Sequence, residues 1–401
     1  MSSVDVTVIG AGIVGLATAW QLKRRHPSLT LTVIEKESHV AAHQSGHNSG
    51  VLHSGIYYRP GSLRAENCRA GKAAMEEFCR EHGIAYSLCG KVIVAVSEEE
   101  RPRLRNILER GQANGVVCEL IDRDRLHEIE PHAAGIEAIH VPESGIVDYV
   151  QVCEKLAELL RAAEVEIRLG ETVQGIEQRR ESVVVQTSRG IVESKYLTTC
   201  GGLWADRLIR MSGETPTAPI VPFRGEFFDL KPEAHHLCKG LIYPVPDPQF
   251  PFLGVHFTRT IHGGVECGPN AVLAFARAGY RKSDLNLRDL TESLSQRNFQ
   301  KLAFKYWKTG LGEMWRSWNR KAFVRELQRL VPEIRVEHLT PAPAGVRAQA
   351  IGPDGALLDD FVIQGSQRIV HIGNAPSPAA TASLNIGNLI VDELERNGLT
   401  G

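Results

Sequence analysis

The chain has 401 residues, 43% apolar and 23% charged, with a formal net charge of −1. That length exceeds the needs of one small core, so two domains are expected. The near-neutral charge excludes a nucleic-acid partner drawn in by a global field, and no apolar run approaches the roughly 20 residues of a membrane-spanning helix.

Eight cysteines are scattered from Cys68 to Cys267. None shows the close pairing of a zinc or redox-disulfide site, so no metal is expected and the thiols read as reduced. A cytoplasmic location follows from that reading. The N-terminus starts directly on a strand pattern, Val4–Ile9, with no basic region and no apolar stretch of signal-peptide type.

The run from Val8 reads VIGAGIVG. Gly10, Gly12 and Gly15 spell G-x-G-x-x-G between that strand and a helix expected over Ile13–Arg25, which Pro27 stops. Gly10 permits a tight turn, Gly12 lets backbone N–H groups approach a pyrophosphate, and Gly15 lets helix and strand pack closely. The helix N-terminus adds partial positive charge. A second strand, Leu29–Glu35, ends on an acid placed to accept from a ribose diol and to repel a 2′-phosphate. The fingerprint serves NAD and FAD alike.

The following chain separates the two. A simple NAD unit continues as repeated strand–helix–strand; here residues 41–61 form a long segment rich in Ser, Gly and His, of the kind that carries function. Strand and helix patterns then alternate. Lys91–Ser97 reads as a strand, Glu98–Ala113 and Asp148–Ala163 as helices, and Glu166–Leu169, Ser182–Thr187 and Ile191–Thr199 as strands. A helix follows Gly201–Gly202, and residues 221–275 are mainly β. Near the end, the strand Arg368–Ile372 leads to a turn at Gly373 and Asn374, and small residues from Ala379 open a helix through Leu394. Strand, small-residue loop and helix N-terminus make a second anion site. Two such sites at opposite ends of the chain suit FAD, which is large enough to span both.

Residues 296–329 stand apart, with nine basic residues against two acidic ones and seven interleaved aromatics. The pattern is helical, with a break expected at Gly310–Gly312. It suits a membrane-surface element and equally an aromatic face packed on the protein beneath a solvated basic one.

These residues carry a resemblance. The motif order resembles the D-amino-acid-oxidase superfamily of flavoproteins. The strings HNSGVLHSGIYY (47–58), VPESGIVDY (141–149), CGGLWAD (200–206), VPFRGEF (221–227), IYPVPDP (242–248), GVHFTR (254–259), GVRAQ (345–349) and IGNAPSPAATASLNIG (372–387) are similar to the L-2-hydroxyglutarate dehydrogenase/oxidase family within it. The resemblance covers nearly the whole chain. It implies an α/β (α+β) two-domain fold of the D-amino-acid-oxidase and glutathione-reductase type. A Rossmann-like FAD-binding domain would be built from 1–85, 142–218 and 335–401, and a mixed-sheet substrate domain from 86–141 and 219–334. It implies FAD contacts at Gly10, Gly12, Gly15, Glu35, Ser45, Val173, Gly201 and Gly373, to which His47 and Asn374 are added from their positions.

It also implies oxidation of L-2-hydroxyglutarate to 2-oxoglutarate, with electrons passed to a quinone chain or to oxygen. Such a reaction needs a base for the hydroxyl proton, and His53 and His256 are the candidates. Each substrate carboxylate needs a cation. Arg347, where related oxidases place an arginine, suits the α-carboxylate, and Arg59 the distal one. Tyr58 and its neighbours Tyr57 and Tyr243 either donate hydroxyls or pack. A peripheral seat on the inner face of the cell membrane would bring a quinone within reach. The alternatives are an amine oxidase of glycine or sarcosine type and a flavin-binding module without turnover.

Overall fold

A computed structural model describes residues 2–247 and 253–400; Pro248, the last residue of IYPVPDP, lies outside them. Two eight-stranded sheets organise the chain. In the first, Ser2–Ile9 lies at the centre, paired in parallel with Leu31–Ile34 on one side and Gly190–Thr199 on the other. Glu166–Arg168 extends one edge. On the other side, the long strand Gly190–Thr199 divides. Its first half pairs antiparallel with Val183–Thr187, and its last three residues run parallel to Ile369–Asn374. Both ends of the chain therefore meet one strand.

Helix α1 (Ile13–Arg25) packs against the C-terminal helix Ala379–Arg396 and against Tyr149–Ala162. Their apolar faces close one core containing Leu16, Leu22, Val33, Leu156, Ile390 and Leu394. Helix α2 (Leu63–His82) also lies on the C-terminal helix. The sequence reading did not place α2, although its ends are marked: Ser62 Oγ accepts from Ala65 N at one end and Gly83 takes a left-handed φ of 67° at the other.

The second sheet runs in the order Leu339–Pro341, Phe228–Leu230, Val265–Gly268, His256–Arg259, Leu241–Pro244, Lys91–Ala95, Glu137–Val141, Glu119–Asp122. A three-stranded sheet joins Ile220–Gly225 to Gly345–Ala350 and Val272–Leu273. Leu339–Pro341 and Gly345–Ala350 lie beyond the expected boundary at residue 335, yet both pair with strands of the 219–334 segment. Helix α3 (Arg101–Ala113) buries Leu104 and Ile107 against the second sheet, in a cluster with Ile56, Ile93 and Tyr243.

Segment 296–329 is helical as expected, but its breaks fall elsewhere. The helices are Arg297–Lys305, Trp307–Trp318 and Arg320–Gln328, so Gly310 and Gly312 lie inside one of them. A helical glycine costs only about 1 kcal/mol relative to alanine. The breaks come at Tyr306 and at Asn319, whose side chain accepts from Ala322 N to cap the next helix. All eight cysteines are free thiols, five of them buried.

Candidate functional site

Residues of both large sheets line one cavity of about 1060 Å³. At one end lies the glycine turn. Gly10 has a φ of +106°, and a Cβ there would stand 2.5 Å from Cys200 O; one on Gly15 would stand 1.9 Å from Gly10 O. No side chain fits at either position. Gly10 and Gly12 line the cavity, while Gly15 serves the packing of α1 on its strand.

Gly12 caps α1 without a side chain of its own. The first-turn amide of Ile13 instead donates to Ser45 Oγ at 2.9 Å, and Ala11 N donates to Glu35 Oε2 at 2.8 Å. Glu35 Oε1 accepts from Glu37 N at 3.0 Å. The acid and the serine thus brace the turn while lining the cavity.

Val173, Gly201, Gly373 and Asn374 line it too. Gly373 and Asn374 are not a turn but the last residues of the strand Ile369–Asn374, which pairs with Val362–Gly365 through a register shift at Gly373. Asn374 Nδ2 donates to Leu358 O and Asp360 O at 3.1 and 2.9 Å, while its buried Oδ1 has no hydrogen-bond partner. The following loop brings Ala379, Ala380 and Thr381, the first turn of the C-terminal helix, to the same wall. His47 also lines the cavity and stacks on Tyr280 at 4.1 Å. Beside it His43, passed over in the sequence, bridges Glu37 (2.8 Å) and the Tyr280 hydroxyl (3.1 Å).

The other end of the cavity gathers His53, Tyr57, Tyr58, Tyr243, His256 and Arg347. His53 is held by its backbone, N–H to Thr381 Oγ1 at 3.2 Å. Burial pushes its imidazole well below the ordinary histidine value, and Lys91, Arg64 and His256 act in the same direction. His256 is buried and stacks on Tyr243 with ring centroids 4.0 Å apart. Its Nδ1 lies 2.9 Å from Gly254 O. A carbonyl can only accept, so Nδ1 carries the proton and Nε2 keeps the lone pair. Burial pushes His256 down to about 3 against the opposing Gly254 hydrogen bond. Burial also lowers the Arg347 guanidinium, against the pull of Glu313 and Tyr243. The Tyr57 hydroxyl is buried without a partner.

Arg59 departs from its expected role. It is exposed, lies in the turn before α2 and does not line the cavity. Arg64, one helical turn on, does line it, with its guanidinium 4.4 Å over the Tyr58 ring. Three of its five N–H groups donate to Ser377 O and Asp359 O. Three residues of α3 not singled out in the sequence, Arg103, Asn106 and Arg110, complete this end.

A two-ended cavity with a glycine cradle at one end and neutral imidazoles at the other accommodates an extended dinucleotide. The orphaned Asn374 Oδ1 and Tyr57 hydroxyl provide unspent polar atoms on its walls. This is the architecture of a dinucleotide-dependent oxidoreductase.

The chain belongs to the DAO family of FAD-dependent oxidoreductases, whose model matches residues 5–393. It is 50% identical over 390 residues to an L-2-hydroxyglutarate dehydrogenase of Indibacter alkaliphilus, covering 97% of this chain and 98% of that one. It is 45% identical over 413 residues to the mitochondrial L-2-hydroxyglutarate dehydrogenase of Homo sapiens, covering 98% and 89%. In fold it is similar to the FAD-bound L-alpha-glycerophosphate oxidase of Mycoplasma pneumoniae, with a TM-score of 0.80, 21% identity, and 98% and 95% of the two chains covered.

Proposed function

We propose that the protein oxidises L-2-hydroxyglutarate to 2-oxoglutarate. When bound, FAD supplies the hydride acceptor. Gly10, Gly12, Glu35, Ser45, Val173, Gly201, Gly373 and Asn374 would hold it, with His47 beside them. The observation that carries the substrate end is the pairing of two neutral imidazoles with Arg347 on the wall of the same cavity. Arg347 would take the α-carboxylate, a buried guanidinium being suited to bidentate pairing. His256 would accept the hydroxyl proton at Nε2, its tautomer fixed from the Nδ1 side. His53 and Tyr58 would complete the wall near the reacting carbon.

An anaerobic titration of the yellow holoenzyme tests this. Loss of the oxidised-flavin band with the L- but not the D-enantiomer is the expected result. Bleaching by glycine or sarcosine instead would move the protein to amine oxidation.

A second reading concerns the electron acceptor. The helix Trp307–Trp318 buries none of its residues. Trp307, Leu311, Met314, Trp315 and Trp318 recur at helical spacing, each at least 45% exposed, and Phe304 just before them is 86% exposed. Lys282 lies over the Trp318 ring and Lys308 over Trp307. An apolar face rimmed with cations suits an anionic lipid surface, where a quinone would be within reach. No helix among the described residues is long and apolar enough to cross a membrane. Co-sedimentation with vesicles containing anionic lipid at low salt is expected, and Trp315→Ser with Trp318→Ser should abolish it. A wild-type protein that stays in the supernatant would remove the idea.

A further inference from the structure

The cavity needs a second cation if its substrate carries two carboxylates, and Arg59 does not reach it. Six arginines line the wall: Arg64, Arg103, Arg110, Arg207, Arg288 and Arg347. Arg64 is committed to backbone carbonyls. Arg207 is paired with Asp289 and Glu292, and it sits on the helix Ala205–Met211 that packs on the strand starting at Val173, at the cradle end. Arg288 shares a second hollow with Arg207 and Met211 on that side. Arg347 is taken by the first carboxylate. Arg103 and Arg110 remain.

Both lie on α3, with Asn106 between them and Ile107 beside it, and all four line the cavity. The spacing of three and then four residues puts them on one helical face. Ile107 packs in the cluster that holds Tyr243, with Tyr57 against it, so the stripe lies at the histidine end. Arg103 Nη1 reaches Pro246 O at 3.4 Å and Asp247 at 3.6 Å. Arg110 makes no ion pair among the described residues.

The helix is fixed to the loop that carries His53. Asn114 Nδ2, just past its end, donates to Gly55 O and Tyr58 O at 3.1 and 2.9 Å. At Gly111 the approach is so close that a Cβ would stand 2.7 Å from Ile56 Cγ1. A helix clamped in this way holds its cavity-facing donors at a set distance from the histidines.

We propose that Arg103, Asn106 and Arg110 form the subsite for the distal carboxylate, and that they set the length and charge of the acid accepted. This rests on the hydroxy-acid reading above. A carboxylate bound by two guanidinium groups and an amide is recognised by charge and by its separation from Arg347. A five-carbon diacid would then be preferred to a monoacid of the same length.

The test uses the FAD-loaded enzyme and two readouts. Rapid-mixing flavin reduction by L-2-hydroxyglutarate gives Kd and limiting rate separately. Arg103→Met and Arg110→Met should each raise Kd about 10- to 100-fold, the value of one charge-assisted hydrogen bond, with the limiting rate little changed. Titration of the oxidised holoenzyme with glutarate and with pentanoate should show tighter glutarate binding in the wild type, and the two variants should erase that difference. Arg105→Met, off the stripe and paired with Glu137 at 3.5 Å, should behave as wild type. An unchanged Kd in both variants, or equal losses for glutarate and pentanoate, would overturn the subsite. A wild type that L-2-hydroxyglutarate does not bleach overturns the functional reading instead, and the glutarate–pentanoate comparison still decides the stripe.

Discussion

Replacing His256 by Gln removes the lone pair assigned to proton abstraction while leaving a side chain that can still hydrogen-bond. In the free protein burial holds the imidazole down to about 3, so it is fully in the base form above about pH 4. A bound dianion changes this. At an effective dielectric of about 20, a carboxylate about 6 Å away interacts with the imidazolium by about 2.8 kcal/mol, or about two pKa units. The α-carboxylate would lift the group toward about 5, less whatever Arg347 neutralises, the distal one being held at Arg103 and Arg110. The substrate-saturated rate of flavin reduction should therefore rise between about pH 4 and 5 and level off. The low-substrate slope, which reports the free enzyme, should show no such limb from this group. In His256→Gln the limb should vanish and the plateau should fall about 10²- to 10⁴-fold. Anaerobic rapid mixing over a pH series measures both. A variant that keeps its limb and loses less than about tenfold would refute the assignment. The same loss in His53→Gln alone would transfer the role to His53.

Two further outcomes follow from the cradle and from buried histidines. Ser45→Ala leaves Ile13 N without its acceptor at the end of a helix that has no side-chain cap of its own. The expected cost is about 1–3 kcal/mol, read as weaker FAD retention on dilution, and unchanged retention would deny Ser45 that bracing role. His371 is fully buried between Thr199 Oγ1 (2.7 Å) and Ser212 Oγ (3.0 Å), and burial pushes it down to about 4. Because the folded value lies below the unfolded one of about 6.5, the neutral ring's full contribution to stability is present above pH 6.5. It is lost as pH falls toward 4, at up to about 1.4 kcal/mol per pH unit. Thermal melts of the holoenzyme should drop over that range, and His371→Gln should flatten the drop. An equal slope in the variant would rule His371 out as the source.

The cradle was legible in the sequence because its chemistry is local. Three glycines at fixed spacing, a strand before them and an acid after the next strand determine one turn, and Gly10, Gly12 and Glu35 all line the cavity. Helix α2 was not legible for the opposite reason. Its buried face does carry Ala65, Cys68, Met75, Phe78 and Cys79, but Asn67, Gly71 and a Lys72 paired with Glu76 interrupt the stripe that periodicity detects. It packs on the C-terminal helix, nearly the whole chain away. The strands Leu339–Pro341 and Gly345–Ala350 looked like part of the dinucleotide unit because they lie just before its last strand, but pairing is decided by partners more than a hundred residues upstream.

The arginines make the same distinction at the site. Arg59 and Arg64 stand five residues apart in the same stretch of polar chain, and nothing local marks which one faces inward. The turn at 59–62 sends the first to solvent, and the first turn of α2 carries the second to the cavity wall. On α3, an arginine stripe at helical spacing ordinarily means a solvated face. Here that face, exposed at Asn106 and Arg110, also borders the cavity, because Gly111 lets the helix settle onto Ile56 and Asn114 ties its end to the loop of His53. The glycine turn at the cofactor end is thus written in a short local motif. The selectivity of the substrate end is written in how closely one helix approaches one loop, and a Gly111→Val variant that pushes them apart should weaken glutarate binding without touching any arginine.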